Sequence, residues 1–304
     1  MSARRFATID VGTNTVLLLV AERRGDALVP VVERAEITRL GRGVDATGRL
    51  DPAAIRDTVA VLVAYAREAR ALGVEGIACV ATSAARDAAN GAEFFAAARD
   101  EAGLAPEVIP GNEEARLVYV TAHRDFTGPL AVLDVGGGST EFIVGEGAAP
   151  RARVSLQVGA VRVTERHVHA HPIAPAELAA MREDARRSFV ALSDLRPAAG
   201  ARLVGVAGTV TTLSAVAQAL PRYDGEKVHG ASLALAEIEG LVERMARLPV
   251  AGRAALPGME PKRADVIVAG AIVVAEAMRA AGFSELTVSD RGVRWGLLYD
   301  RFRG

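Results

Sequence analysis

A chain of 304 residues has the length of two ordinary domains, each long enough to bury its own core. Its 36 Lys and Arg against 37 Asp and Glu give a formal charge of −1, which excludes a generally basic nucleic-acid coat and an acidic disordered tail. One cysteine, Cys79, excludes a disulfide framework and a Cys-rich zinc module; among Ile77, Ala78 and Val80 it reads as a buried, inert thiol. Arg4 and Arg5 precede an apolar run, but Asp10, Gly12 and Asn14 interrupt it, so neither a secretory signal nor a spanning helix is expected. The expected location is the cytoplasm, with no membrane and no DNA partner.

In chain order, Arg5–Asp10 and Thr15–Ala21 are apolar enough for strands, and Val29–Leu40 adds a third with Pro30 at its edge. Asp51-Pro52 opens a helix that apolar residues carry to Leu72, where Gly73 stops it. A strand at Gly76–Ala81, a helix at Asn90–Ala102, a short strand at Glu107–Ile109 and a helix at Asn112–Arg124 complete a βββαβαβα series. Leu130–Asp134, Thr140–Gly145 and Arg151–Gln157 are again strands, the first two joined by a turn at Gly136–Ser139. Helices are expected at Ala174–Leu192, Thr209–Ala219, Leu233–Leu248, Pro261–Ala281 and Arg291–Arg301, with strands at Leu203–Ala207 and Leu286–Ser289.

The two openings match. Asp10-Val11-Gly12-Thr13-Asn14 and Asp134-Val135-Gly136-Gly137-Gly138-Ser139 each run from strand through Asp-Val-Gly and a polar turn into another strand. Similarity at half the chain length implies a duplicated domain rather than a solenoid. The expected division is 1–126 and 127–304, with a final helix at about 291–304 crossing back onto the first domain.

The glycine turn lacks the Gly-Lys-Ser/Thr ending of a P-loop, and Glu141 stands where a dinucleotide fingerprint needs its third glycine. The turn therefore joins two antiparallel strands. Such a turn is either a plain hairpin or one whose N–H groups converge on an oxyanion, aided by the Ser139 and Thr140 hydroxyls. Asp134 beside it suits a phosphate site where a divalent cation lies between them. Gly205–Leu213 reads as a strand end, a glycine turn at Gly208 and a helix capped by Thr209; it is either an ordinary capped helix or an anion or nucleotide site. If Asn112 caps its helix, Glu113 and Glu114 lie in the first turn, where acids commonly stabilise a helix. His167, His169 and His171 alternate, which on a strand would put three imidazoles on one face, but no carboxylate or cysteine completes a zinc set; an exposed polar loop is the expectation.

The set Asp10–Thr15, Asp134–Glu141 and Gly205–Thr212 resembles the phosphate and nucleotide motifs of the acetate kinase/sugar kinase/Hsp70/actin superfamily. Within it, Ile9–Asn14, Ala81–Ala88, Ile109–Leu117, Leu133–Glu141, Arg263–Ile267 and Ser289–Arg294 resemble the exopolyphosphatase/guanosine pentaphosphate phosphohydrolase (Ppx/GppA) family along nearly the whole chain. The resemblance implies an α/β fold of two related actin-like (ribonuclease H-like) domains, each a mixed sheet flanked by helices, with the active site in the interdomain cleft. It implies Mg²⁺-dependent hydrolysis of the terminal phosphoanhydride of polyphosphate or guanosine pentaphosphate, with a monovalent cation such as K⁺ as a second expected ion. By the same resemblance Glu114 is the general base, with Glu113 its competitor, and Arg86 contacts the transferred phosphate. Asp10, Asp134 and Glu141 hold the metal. Gly12, Thr13, Asn14, Gly136, Gly137, Gly138, Ser139 and Thr140 bind phosphate, with Gly208, Thr209 and Arg263 as further candidates. Arginine suits phosphate because its planar fork pairs bidentately and stays charged.

Longer members of that family carry further helical domains that extend the binding channel. Short polyphosphate or a nucleotide-type substrate is therefore the expectation for this chain, with a homodimer as one way to lengthen the channel. A small-molecule kinase of the same superfamily and a non-catalytic sensor of guanosine tetra- or pentaphosphate are the competing expectations.

Overall fold

The computed structural model describes residues 4–302. The first strands follow the apolar runs: β1 (Arg5–Val11), β2 (Thr15–Arg24) and β3 (Ala27–Ile37) form an antiparallel meander. The short helix α1 (Val44–Thr47) leads to α2 (Pro52–Ala71), which starts where Asp51 accepts hydrogen bonds from the Ala53 and Ala54 amides at 2.6 and 3.3 Å. Next come β4 (Gly76–Ala81), α3 (Ser83–Asp87), α4 (Gly91–Ala102), β5 (Glu107–Val108) and α5 (Gly111–Asp125). The sheet order is β3-β2-β1-β4-β5, with β4 and β5 added in parallel. Val11, Leu18, Leu62 and Phe94 lie in one apolar core between this sheet and its helices, and Cys79 is buried with them. Burial pushes the Cys79 thiol up, so it stays protonated.

The second series begins β6 (Leu130–Val135), β7 (Thr140–Gly145) and β8 (Ala152–Leu156), again an antiparallel meander. It continues through α6 (Ala160–His167), α7 (Pro175–Phe189), β9 (Arg202–Val206), α8 (Ala207–Ala217), α9 (Gly225–Val228), β10 (Ser232–Ala234), α10 (Leu235–Ala246), α11 (Val250–Ala254), α12 (Ile267–Ala281) and β11 (Glu285–Val288). The order is β10-β11-β9-β6-β7-β8, with β9 parallel to β6 and β11 parallel to β9. Read outward from the first strand of each, the sheets share one topology: 3-2-1-4-5 becomes 8-7-6-9-11, with antiparallel β10 appended. The duplication inferred from the two hairpins thus extends to the whole sheet.

The chain divides into two compact units, Met1–Leu117 with Val293–Gly304, and Val118–Gly292. The division falls inside α5 rather than at 126. The last helix, α13 (Val293–Arg301), counts with the first unit, where Trp295, Leu298 and Tyr299 pack on Phe6 and Leu19.

Several elements differ from the sequence reading. The helix expected from Pro261 begins at Ile267; Pro261–Arg263 is a separate 3₁₀ turn, started by the Glu260 carboxylate accepting from the Lys262 amide at 3.2 Å. Leu233 and Ala234, expected in a helix, instead pair with β11 as part of β10. Helix α6 was not expected at all, and it removes the three-histidine face: His167 ends it and meets Asp184 at 2.8 Å, while His171 meets Arg253 at 3.2 Å. Burial, then the Arg253 charge, holds the His171 imidazole below its ordinary range. Among the described residues no helix is long and apolar enough to cross a membrane.

Candidate active site

Each unit presents its polar turn in the same way. In the first, Gly12 N–H bonds the Thr15 carbonyl at 3.0 Å; in the second, Gly136 N–H bonds the Ser139 carbonyl at 3.0 Å. Strand register places Asp10 opposite Leu17, and Asp134 opposite Glu141. Asp10, Asp134 and Glu141 are all buried.

The turn carbonyls are then covered by a later segment. In the first unit Gly41 N–H bonds Thr13 O at 2.8 Å, and the Thr38 and Arg39 amides bond Asn14 O at 3.1 Å each. Gly41 lies so close that a Cβ there would come within 2.3 Å of Thr13 Cγ2. In the second unit the start of α6 does this work. Ala160 N–H bonds Gly136 O at 2.9 Å, and Val161 and Arg162 N–H bond Gly137 O at 2.9 and 3.1 Å. A Cβ on Gly159 would lie 2.6 Å from Gly137 O. In a trans peptide C=O and N–H point opposite ways. Carbonyls turned to the covering segment therefore leave the N–H groups of Gly137, Gly138 and Ser139 facing away from it. Sequence reasoning missed Gly41 and Gly159; the isolated glycines were visible, but their neighbours were not.

Asp10 is buried at the end of β1. Its Oδ1 is buried without a hydrogen-bond partner among the described residues, and burial pushes its pKa up to about 7, against the opposing charge of Arg294. A buried carboxylate in that condition suits a cation. Asn14 likewise keeps a buried Nδ2 with no hydrogen-bond partner among the described residues. Arg294 comes from α13, and the sequence reading gives it no role.

Helix α5 supplies the two glutamates. It starts at Gly111, and the amides of Glu113 and Glu114 both bond the Pro110 carbonyl, so Asn112 is inside the helix and not its cap. Glu113 is engaged by Arg116, with contacts of 2.8 and 2.6 Å, and Arg116 also bonds Asp300 at 2.9 Å. Glu114 is buried, and its Oε2 lies 3.7 Å from Arg86 Nη1. Arg86 is oriented by the Ile109 carbonyl at 3.1 Å and Asp87 at 3.3 Å. Arg86 and Glu114, far apart in sequence, are thus brought together by β4–α3 and the loop into α5.

In the second unit Glu141 accepts from Ser155 Oγ at 2.6 Å. Its position opposite Asp134 puts two carboxylates on one face of the β6–β7 ladder, which favours a cation between or beside them. Thr140 departs from the phosphate-binding expectation: it is fully buried and donates its hydroxyl to the Val158 carbonyl at 2.5 Å. Thr209 is not the cap of its helix. The cap is Val206, Ala207 takes φ +69°, and Thr209 lies buried against Gly270. Gly208 and Arg263 do meet: a Cβ on Gly208 would come within 2.3 Å of Arg263 Nη2. Burial lowers the Arg263 pKa, with Glu260 opposing.

Among the described residues no three His, Cys, Asp or Glu side chains gather into a metal-holding group.

Residues 19–303 match the model of the Ppx/GppA phosphatase family. Exopolyphosphatase 2 of Mycobacterium tuberculosis is 40% identical over 315 residues, spanning 98% of this chain and 98% of that protein. The crystal structure of the Aquifex aeolicus Ppx/GppA family member superposes with a TM-score of 0.82 at 33% identity, over 98% of this chain and 97% of that one. An exopolyphosphatase structure from Cytophaga hutchinsonii shares the fold, with a TM-score of 0.89 at 24% identity over 98% and 97% of the chains. Two mixed sheets of one topology, a family match over residues 19–303 and a 40% identical relative spanning 98% of the chain have one reading: the chain belongs to the Ppx/GppA phosphatase family, with its actin-like two-domain fold.

Proposed function

We propose that this phosphatase removes the terminal phosphoryl group of inorganic polyphosphate by attack of water, with Glu114 as general base. The observation that carries the base assignment is the contrast between neighbours: Glu113 is taken up by Arg116, whereas Glu114 is buried beside Arg86 at the start of α5. A helix N-terminus and a guanidinium both complement the negative charge a base must carry. The similarity to an exopolyphosphatase over 98% of both chains supports polyphosphate as substrate.

In this reading the water oxygen bonds the terminal phosphorus, its proton passes to Glu114, and the bridging P–O bond breaks to leave a chain one phosphate shorter. Arg86 holds an oxygen of the transferred group, and the turn N–H groups of Gly137, Gly138 and Ser139 bind phosphate oxygens. Thr13, Asn14 and Gly12 do so from the first unit. Arg263, against Gly208, adds a cation for phosphate at the start of α8. The carboxylates offered to Mg²⁺ are Asp10 in the first unit and Asp134 with Glu141 in the second. The cation, when bound, neutralises phosphate charge.

The test is phosphate release with Mg²⁺ from tripolyphosphate, long-chain polyphosphate and guanosine pentaphosphate, measured side by side. Orthophosphate from either polyphosphate supports the reading. Release from guanosine pentaphosphate alone, or transfer from ATP to an organic acceptor, overturns it.

A further inference from the structure

We infer that Arg162 is a positioning residue for phosphate, acting through the Gly136–Ser139 turn; this rests on the reading of that turn as a phosphate site. Arg162 grips the turn twice. Its amide bonds Gly137 O at 3.1 Å, and its Nε bonds Gly138 O at 2.8 Å. Its Nη2 bonds Gln157 Oε1 at 2.9 Å, which fixes the plane of the guanidinium from the end of β8.

Consecutive peptide groups of the turn are arranged alike. The carbonyl of Gly136 is bonded by Ala160, that of Gly137 by Val161 and Arg162, and that of Gly138 by the Arg162 side chain. The other ends of those peptide groups are the N–H groups of Gly137, Gly138 and Ser139. A hydrogen bond to a carbonyl polarises its own amide and strengthens the N–H at the far end. A cationic donor does so more strongly than a neutral amide. Arg162 therefore both holds the third peptide in place and sharpens the Ser139 N–H as a donor to an anion. The residue binds no phosphate itself. Its contribution is to the affinity of the turn for phosphate oxygens and not to the proton transfer at Glu114.

The experiment compares Arg162→Gln and Arg162→Lys with Arg151→Gln. Arg151 also bonds a backbone carbonyl in the same unit, that of Arg196, away from the turn. Three quantities are read: KM and kcat for tripolyphosphate, Kd for tripolyphosphate by calorimetry, and thermal melting. Arg162→Gln is expected to raise KM and Kd by about tenfold, the order lost with one charge-assisted hydrogen bond, while kcat and the melting temperature stay near wild type. Arg162→Lys keeps the charge but reaches only one acceptor, so its KM is expected to rise roughly threefold. That variant decides the matter where the Gln variant does not fold. Arg151→Gln is expected to match wild type in KM and Kd. Wild-type KM and Kd in both Arg162 variants, or an equal change in Arg151→Gln, overturns the inference. A wild-type protein that binds tripolyphosphate, weakens on Arg162→Gln and releases no phosphate overturns the proposed hydrolysis and leaves Arg162 standing. Normal turnover with unmoved KM and Kd does the reverse.

Discussion

The hairpins at 10–17 and 134–141 have the same closing hydrogen bond and the same buried aspartate, yet they are covered differently. The first turn is backed by the loop at 38–41 and the second by the start of α6 with Arg162. The first has leucine opposite its aspartate, the second a glutamate. Only the first unit adds the Arg86–Glu114 pair. The two units thus present similar polar turns in different surroundings, and the proposed function divides the work between them. The first unit carries the group proposed as base, and the second carries the glycine-rich turn with its charged brace.

The sharpest break in this comparison is Glu114→Gln. It should lower kcat for polyphosphate by about 10²- to 10⁴-fold, the range for loss of a general base, with tripolyphosphate binding retained by calorimetry. Wild-type turnover in that variant would remove Glu114 from the role.

Next come Gly41→Ala and Gly159→Ala, which press on equivalent turns from behind. The new Cβ would meet Thr13 Cγ2 at 2.3 Å in the one and Gly137 O at 2.6 Å in the other. A backbone oxygen yields less than a methyl group, so Gly159→Ala should be the worse, costing about 1–3 kcal/mol. Chemical denaturation and KM measure this; equal, wild-type values for both would show that the covering segments do not set the turns.

Asp10→Asn tests the buried carboxyl. Burial pushes its pKa up to about 7, from an ordinary aspartate value of 3.8. Between those values the native state holds the extra proton, so stability falls as pH rises through that window and levels off above it. In chelator, Asp10→Asn should match wild type near about pH 4 and melt ~5 °C higher at about pH 8. Adding Mg²⁺ should raise wild type toward the variant. A wild-type melting curve that does not fall between those pH values contradicts the burial argument.

The smallest effect belongs to Glu113→Gln. Its pair with Arg116 is partly exposed, with a third of the Glu113 side chain in solvent, so its loss should cost about 0.2–1 kcal/mol and leave kcat unchanged. A kcat loss as large as that of Glu114→Gln would reverse the assignment of the two neighbours.

Much of the fold was legible because its signals are local. Asp51-Pro52 marks a helix start wherever it stands, and Asp-Val-Gly between two apolar runs marks a hairpin. The helix from Gly111 carried its glutamates in the first turn although Asn112 does not cap it. Errors arose where a local signal met a distant partner. Thr209 looks like a cap, but the left-handed Ala207 lets α8 begin before it. Thr140 looks like a phosphate donor, but Val158 takes its hydroxyl.

By itself, then, the sequence determined two related sheets, the aspartates at their strand ends, the polar turns and a family resemblance, since each depends on residues close together along the chain. The tertiary structure decided which carbonyls are covered, which glutamate is buried beside Arg86, and where Arg162 bears. Those outcomes depend on contacts between segments 20 or more residues apart, such as Gly137 with Val161 and Arg86 with Glu114. No local propensity encodes them, because hydrogen-bond partners and close approaches exist only once the sheet and helices have packed.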